Sequence, residues 1–383
     1  MNDMIYLDNA ATTYPKPEEV YKSMDEVNRK YAVNAGRGAY QKAQYASGII
    51  SDTKKALRNL IGADSTIPVV FSASITIALN QIINGLNIPA NSIVYYSPYE
   101  HNAVARTLHY LTKKKNIFLR ELPMNDETRE ISIEKLPYVF SKERPYAVFC
   151  THMSNVTGYI LPVDDIFRES KRYGSVNVLD TAQSLGLIEI DIRKHNDIDI
   201  IAFAGHKSLY GPFGIGGFVN VSRIALDEFI VGGTGSNSLN LDMPMGDETK
   251  YESSSSNIVA IAGLKAALEV LDVKQVFKHE KELTDYLYEK LVSMSHIKTF
   301  LPADRNKHVG IISFDVDGYK AEDIGMILDE DYNIAVRTGY HCAPYIHSHL
   351  KDEKYFGTVR VGLSQFTSKD EIDKLISALE ELG

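Results

Sequence analysis

The stretch DIDIIAFAGHKSLYGPFGIGGF, residues 197–218, joins an apolar, β-branched run to a lysine and then to a glycine-rich turn. The run 197–204 has the length and composition of a strand buried on both faces. Lys207 follows it after Gly205-His206, where such a strand ends. Upstream, SVNVLD from Ser175 is a second run of this kind, and it closes on Asp180. A carboxylate and an amine therefore emerge from two strand ends, side by side if the strands are neighbours.

Taken singly, each residue has a plain reading. A lysine is ordinarily surface, and Asp180 ahead of TAQSLG suits a helix N-cap. Together they suit pyridoxal phosphate, because a lysine amine condenses with its aldehyde. An aspartate that keeps the pyridine nitrogen protonated turns the ring into an electron sink.

Outward from this pair, short β-rich runs alternate with helical patterns between residues 60 and 220: VVFS at 69–72, IVYYS at 93–97, YAVFCT at 146–151, VNVLD at 176–180, IIAFA at 200–204 and GGFV at 216–219. The alternation predicts an α/β fold with a mainly parallel, doubly wound sheet, in which ligands bind beyond the carboxyl ends of the strands. Polar clusters fall at those ends: Glu100-His101-Asn102, Ser154-Asn155, Asp180 to Gln183, and His206-Lys207. The run ESSSS at 252–256 breaks the pattern, and a helical stretch 258–271 leads into GIISFDV, NIAVRT and TVRVGL with helices near 321–329 and 369–382. We expect an N-terminal segment 1–15 packed on the small domain, a large domain 16–252 and a smaller α/β domain 253–383.

With 383 residues, 44% of them hydrophobic, the chain is long enough for two cores. A formal net charge of −9 with dispersed lysine and arginine argues against a nucleic-acid partner. The N-terminal sequence has no charged region followed by an apolar one, and no apolar run reaches membrane-spanning length, so no membrane partner and a cytoplasmic location are expected. Two cysteines are too few for a disulfide framework and lack zinc-site spacing, so no metal is expected.

Several residues carry both an ordinary and a functional reading. His101 is a loop histidine or a ring stacked on a planar cofactor. Ser74, Ile75 and Thr76 stand where VVFS turns into an apparent helix; this is a plain cap or a phosphate site, with His206 as a further donor. Cys150 lies inside an apolar strand and reads as core. Cys342 lies in the polar RTGYHCAP segment, where an exposed thiol on a mobile loop beside His341 suits a thiolate nucleophile. Arg360 is a solvated strand residue or a fork for an amino-acid carboxylate, and Arg337 is a second basic candidate for that anion. The serines 253–256 read most simply as a flexible linker.

As an ordered set, IYLDNAATTYPKP (5–17), NAGRG (34–38), EHNAVARTL (100–108), SNVTGYILP (154–162), DTAQS (180–184), AGHKSLYGPFGIGG (204–217), RTGYHCAP (337–344) and TVRVGLS (358–364) resemble the class V aminotransferase family of fold-type I pyridoxal-phosphate enzymes. Within it the likeness is to cysteine desulfurases and selenocysteine lyases with the short, group II type of thiol loop. The resemblance implies a large domain with a mainly parallel seven-stranded sheet and a smaller C-terminal domain carrying the thiol loop. It implies that Lys207 forms the covalent link to the cofactor, that Asp180 meets the pyridinium and that His101 stacks on the ring, with a catalytic part. Gln183 is then expected at the phenolic oxygen, and Ser74, Ile75, Thr76, His206 and a second subunit's Ser255 at the phosphate. Arg360 with Asn155 and Arg337 would hold the substrate carboxylate, and Cys342 would accept sulfur from L-cysteine, or selenide would be released from L-selenocysteine. A homodimer and a sulfur-acceptor protein complete the expectation; an aminotransferase or a cofactor-free scaffold are more distant alternatives. The sequence departs from the family pattern at Ala204, where a hydroxyl residue is usual, at Ile75, and at Ser254-Ser255-Ser256.

Overall fold

Residues 4–35, 38–235 and 239–383 are described by the computed structural model; Gly36 and Arg37 of the NAGRG motif lie outside these. Seven strands form the large sheet, in the order Val69–Ser72, Gly216–Asn220, Ile200–Ala204, Val176–Asp180, Pro145–Thr151, Ile93–Tyr96 and Phe118–Glu121. All run in one direction except Gly216–Asn220, which is antiparallel to both of its neighbours. The register sets Thr151 opposite Asp180, Asp180 opposite Ala202, and Gly216 opposite both Ala204 and Ser72. The predicted polar clusters thus line one carboxyl edge.

These strands read as continuous apolar runs because helices cover both faces. Leu179, Cys150, Ile201 and Phe203 enter one core with Leu57 and Leu264, while Val178, Phe149, Ile200 and Ala202 enter the opposite core with Leu79 and Leu108. Gly216 is required where its strand crosses the start of the helix Ile75–Gly85, since a Cβ there would stand 2.7 Å from the Ile75 nitrogen. The seventh strand, Phe118–Glu121, was absent from the sequence reading. Its residues are exposed or half-buried at the sheet edge, and its short apolar stretch, Ile117 to Leu119, runs directly into the charged Arg120 and Glu121.

A second, antiparallel sheet has the order Ile297–Thr299, Ile311–Val316, Thr358–Gly362, Arg337–Gly339. The helix Lys369–Glu380 lays Ile372, Leu375, Ile376 and Leu379 on its core, the i, i+3, i+4, i+7 spacing of one helix face. The helix Ile258–Val270 instead packs on Glu18–Lys30 and Gln41–Leu60, and puts Ile258, Ile261 and Leu264 into a core of the large sheet. Near the N-terminus Ile5–Tyr6 pairs in parallel with Ile334–Ala335, and Asp8 bridges to Gly362. That crossing carries the segment 8–13 to the junction of the two sheets, where Thr13 N–H donates to the His206 carbonyl. No helix among the described residues is long and apolar enough to cross a membrane.

Candidate active site

Asp180 ends its strand almost wholly buried, and one carboxylate oxygen accepts the Ala182 N–H at 2.9 Å. The cap-like hydrogen bond and the functional placement therefore coexist. Burial pushes its pKa up, while the Ala182 N–H and then Lys207 draw it down. Lys207 lies in the turn after Ile200–Ala204, half-buried, and among the described residues its amine has no hydrogen-bond partner. Burial lowers its pKa to about 8; Asp180 and Cys342 oppose that shift, and Arg360 and Arg337 add to it. Residues from distant parts of the sequence thus share one electrostatic field.

His101 caps the helix Asn102–Lys114, its Nδ1 accepting the Ala103 N–H at 3.0 Å. An accepting Nδ1 requires the neutral tautomer with the proton on Nε2. Burial first, then Lys207 and three arginines, holds its pKa near 3, in agreement. Beside it the fully buried Glu100 accepts from Ser97 Oγ and Thr151 N–H, both at 2.6 Å. Burial raises the Glu100 pKa to about 8. Sequence reading noted Glu100 only as part of a cluster.

At the other end of the cleft, Ser74 caps the helix Ile75–Gly85 with Oγ on the Ile77 N–H at 3.3 Å. The Ile75 side chain is buried in the core, so only its backbone can face a ligand. Thr76 is exposed in the first turn, and among the described residues no hydrogen bond engages its hydroxyl. His206 stacks on Phe213 with ring centroids 4.7 Å apart, and its Nδ1 is buried without a partner. Ala204 is buried in the core that also holds Ile75. The serine run is tethered rather than free, since Ser253 Oγ donates to the Ile230 carbonyl, Ser254 N–H to the Gly233 carbonyl, and Asn34 to Ser255 Oγ at 3.3 Å. Within one chain Ser255 lines a cavity with Ser72, Ala73 and Gly214.

Cys342 is exposed at the tip of a tight turn, whereas Cys150 is buried in its strand and its thiol pKa is pushed well up by that burial. Tyr340 O accepts the Ala343 N–H at 3.0 Å, and the two central residues, His341 and Cys342, have φ of 44° and 57°. Two positive φ values mark a primed turn, which normally selects glycine, asparagine or aspartate. Each left-handed residue here costs about 1–2 kcal/mol. The mobile loop expected from sequence is instead a pinned one: Asn155 Nδ2 donates to the His341 carbonyl and Asn102 N–H to the Cys342 carbonyl, both at 2.7 Å. His341 also differs from expectation, because its ring is buried, its Nε2 meets the hydroxyl and carbonyl of Thr358, and burial drives its pKa well down. A neutral ring held away in this manner supplies no positive charge to a thiolate.

Arg360 is 2% exposed and reaches the cleft from the second sheet. One arm donates to the Asn155 carbonyl at 2.9 Å and the other to the Asp8 carboxylate at 2.8 Å, while Nε is buried without a partner. Arg337 stands 3.8 Å from the same Asp8 and is more exposed. The Gln183 amide donates to the Ala10 carbonyl at 2.8 Å, leaving one N–H for a ligand. Asp8 was missed as a site residue, although it lies in the quoted IYLDNAATT motif.

Pyridoxal phosphate fits these residues. An amine with no hydrogen-bond partner among the described residues feels the charge of a buried carboxylate, and a capped helix start offers the Thr76 hydroxyl, with the orphaned Nδ1 of His206 as a further group, for a phosphate. Among the described residues no group of three or more His, Cys, Asp or Glu side chains could hold a metal ion. The model of the family Aminotransferase class-V matches residues 5–375. The chain belongs to this family. Among class-V relatives, a probable cysteine desulfurase of Pyrococcus abyssi is 30% identical over 391 residues, covering 99% of this chain and 94% of the relative. A cysteine desulfurase of Haloferax volcanii is 28% identical, covering 98% and 89%. The apo structure of the Thermococcus onnurineus NA1 cysteine desulfurase superposes with a TM-score of 0.90 at 28% identity, over 100% of this chain and 95% of that one. The Escherichia coli cysteine desulfurase CsdA, in an S-sulfonic acid form, gives 0.86 at 25% identity, over 99% and 94%.

Proposed function

We propose that this chain is a pyridoxal-phosphate-dependent cysteine desulfurase that converts L-cysteine to L-alanine and stores the released sulfur as a persulfide on Cys342. The observation that carries the reading is the exposed thiol of a pinned primed turn lying in one electrostatic field with Lys207 and Arg360. When bound, pyridoxal phosphate supplies an aldehyde that condenses with amines and a ring that accepts electrons while Asp180 keeps its nitrogen protonated. Thr76, the Ile75 and Thr76 N–H groups, His206 and a second subunit's Ser255 would hold the phosphate, His101 would cover the ring, and the remaining N–H of Gln183 would meet the phenolic oxygen. Arg360 orients the substrate carboxylate, with Arg337 adding positive charge at the rim.

Lys207 Nζ takes the proton from the substrate α-carbon. An amine with a pKa near 8 both accepts and returns a proton close to neutrality. Cys342 Sγ then attacks the substrate sulfur as a thiolate: an S–S bond forms, the C–S bond breaks, and its electron pair stays on carbon, which becomes the methyl group of alanine on protonation. The sum is cysteine plus thiol giving alanine plus persulfide, and a thiol of an acceptor protein takes the terminal sulfur. The same reading carries a cytoplasmic location and a homodimer, the dimer supported by the exposed Val231, Leu239, Leu241 and Met245 close in sequence to Ser255.

The test is to load purified protein with cofactor and follow alanine with sulfide or selenide from cysteine and selenocysteine in parallel. Lys207→Ala should abolish both reactions, and Cys342→Ala should abolish sulfur release from cysteine. Cysteine turnover by Cys342→Ala at the wild-type rate refutes the nucleophile; selenocysteine turnover that survives the substitution marks a lyase.

A further inference from the structure

Each of the three carbonyls at the tip of the thiol turn accepts a hydrogen bond from a different element. The His341 carbonyl is held by Asn155 and the Cys342 carbonyl by Asn102 N–H, both from the strand ends of the large sheet. The Tyr340 carbonyl, besides closing the turn with Ala343 N–H, accepts from His347 Nε2 at 2.9 Å. His347 belongs to the short helix Ile346–Leu350 just beyond Cys342. It is thus the side chain that grips the turn from the segment following the thiol.

The other nitrogen of this imidazole, Nδ1, lies 2.5 Å from Asp352 Oδ2. Both side chains are deeply buried, at 5% and 0% exposure. A carbonyl oxygen only accepts, so Nε2 carries a proton. The short contact on the other side fixes the ring plane against the carboxylate. Asp352 Oδ1 has no partner, and the facing groups are Asp315, whose two oxygens are buried and unpartnered, and the neutral His341, whose ring centroid is 6.1 Å from that of His347. A buried polar pair is a weak source of stability compared with apolar packing, so its cost needs a local return. The adjacent return is the turn itself, two consecutive left-handed residues that nothing in their own chemistry favours.

We propose that His347 and Asp352 are positioning residues for sulfur transfer: the buried carboxylate orients the imidazole, and the imidazole holds the Tyr340 carbonyl so that the turn presents Cys342 Sγ to the substrate sulfur. The inference deepens the desulfurase reading and rests on it. The pair acts through the backbone of residues 340–342.

Two substitutions separate anchoring from folding. His347→Asn keeps an N–H at the Nδ1 position for Asp352 but is too short to reach Tyr340. Asp352→Asn donates to Nδ1 and leaves the neutral ring with its Nε2 proton on Tyr340. A displacement of about 1 Å at a reacting atom costs on the order of 100-fold. In the holoenzyme His347→Asn should therefore lose about 100-fold in kcat with cysteine, with KM within about threefold of wild type. Asp352→Asn should lose less than about tenfold. Alkylation of Cys342 by iodoacetamide should change in rate in His347→Asn more than in Asp352→Asn, with melting temperatures of the two variants alike. A folded His347→Asn with wild-type kcat and alkylation rate overturns the inference, and so does an Asp352→Asn loss equal to that of His347→Asn. Cys342→Ala, run alongside, separates the two levels: if it too keeps wild-type turnover, the desulfurase reading itself has failed.

Discussion

Asp8 occupies the guanidinium assigned to the substrate carboxylate, and replacing it measures that competition. Its carboxylate is 2.8 Å from one Arg360 arm and 3.8 Å from Arg337, with its side chain 18% exposed. A substrate carboxylate docking on Arg360 brings two negative charges to within about 5 Å of each other. At an effective dielectric of about 20 that repulsion is roughly 3 kcal/mol. Arg337 and the water at the rim of Asp8 screen it, to about 1 kcal/mol. Asp8→Asn removes the charge while its amide oxygen still accepts from Arg360, so the arm keeps its orientation. The expected outcome is a KM for cysteine lowered about fivefold, with kcat little changed. The weaker hydrogen bond should cost about 1 kcal/mol of stability and about 2 °C of melting temperature in a chain of this size. Steady-state alanine formation and a thermal melt on the same preparation decide the matter. A folded Asp8→Asn whose KM is unchanged or raised refutes competition and leaves Asp8 as an orienting group alone.

At the helix start, Thr76→Ala should weaken pyridoxal-phosphate affinity about 10- to 100-fold, the loss of one hydrogen bond to a charged acceptor, and leave the melting temperature of the cofactor-free protein unchanged. Ser74→Ala should do the reverse, removing about 1 kcal/mol of capping with a smaller effect on affinity; fluorescence titration and melts of both variants read the contrast. His349 bonds Glu121 and Asp126 through its two ring nitrogens, at 2.9 and 2.8 Å. The Glu121 hydrogen bond raises its pKa to about 8; burial opposes that shift, and the Asp126 hydrogen bond adds to it. Because the folded value lies above the unfolded one, this stabilisation is complete below about pH 6.5 and is lost as pH rises through about 8. After discounting for the wet carboxylates we expect about 1 kcal/mol. Urea midpoints measured from pH 6 to 9 should fall in that window for the wild type more than for His349→Gln, and equal slopes would contradict the assignment.

The fold was legible where side chains answer to burial alone. Runs such as VNVLD and IIAFA are apolar because two cores claim their alternate residues, and that demand is local enough to read in sequence. The edge strand Phe118–Glu121 escaped because water meets much of its surface and relaxes the same demand. At the site, residue types were legible but their commitments were not. Asn155, Gln183, Ser74 and Arg360 were all identified as ligand donors, yet each already gives a hydrogen bond or a cap to the protein. The bond from Arg360 to Asp8 joins positions 352 apart, and nothing in local periodicity signals a partner at that separation. His341 shows the limit most sharply. Adjacency to Cys342 in sequence suggested an electrostatic helper, but a primed turn rotates consecutive side chains apart and sends the ring to Thr358. The imidazole that does support the turn is His347, five positions beyond the thiol, and its reach depends on a backbone reversal that composition does not encode. On the desulfurase reading, the reactivity of Cys342 follows from the turn and the groups that clamp it, and substitutions at those clamps are where that reading is most exposed to refutation.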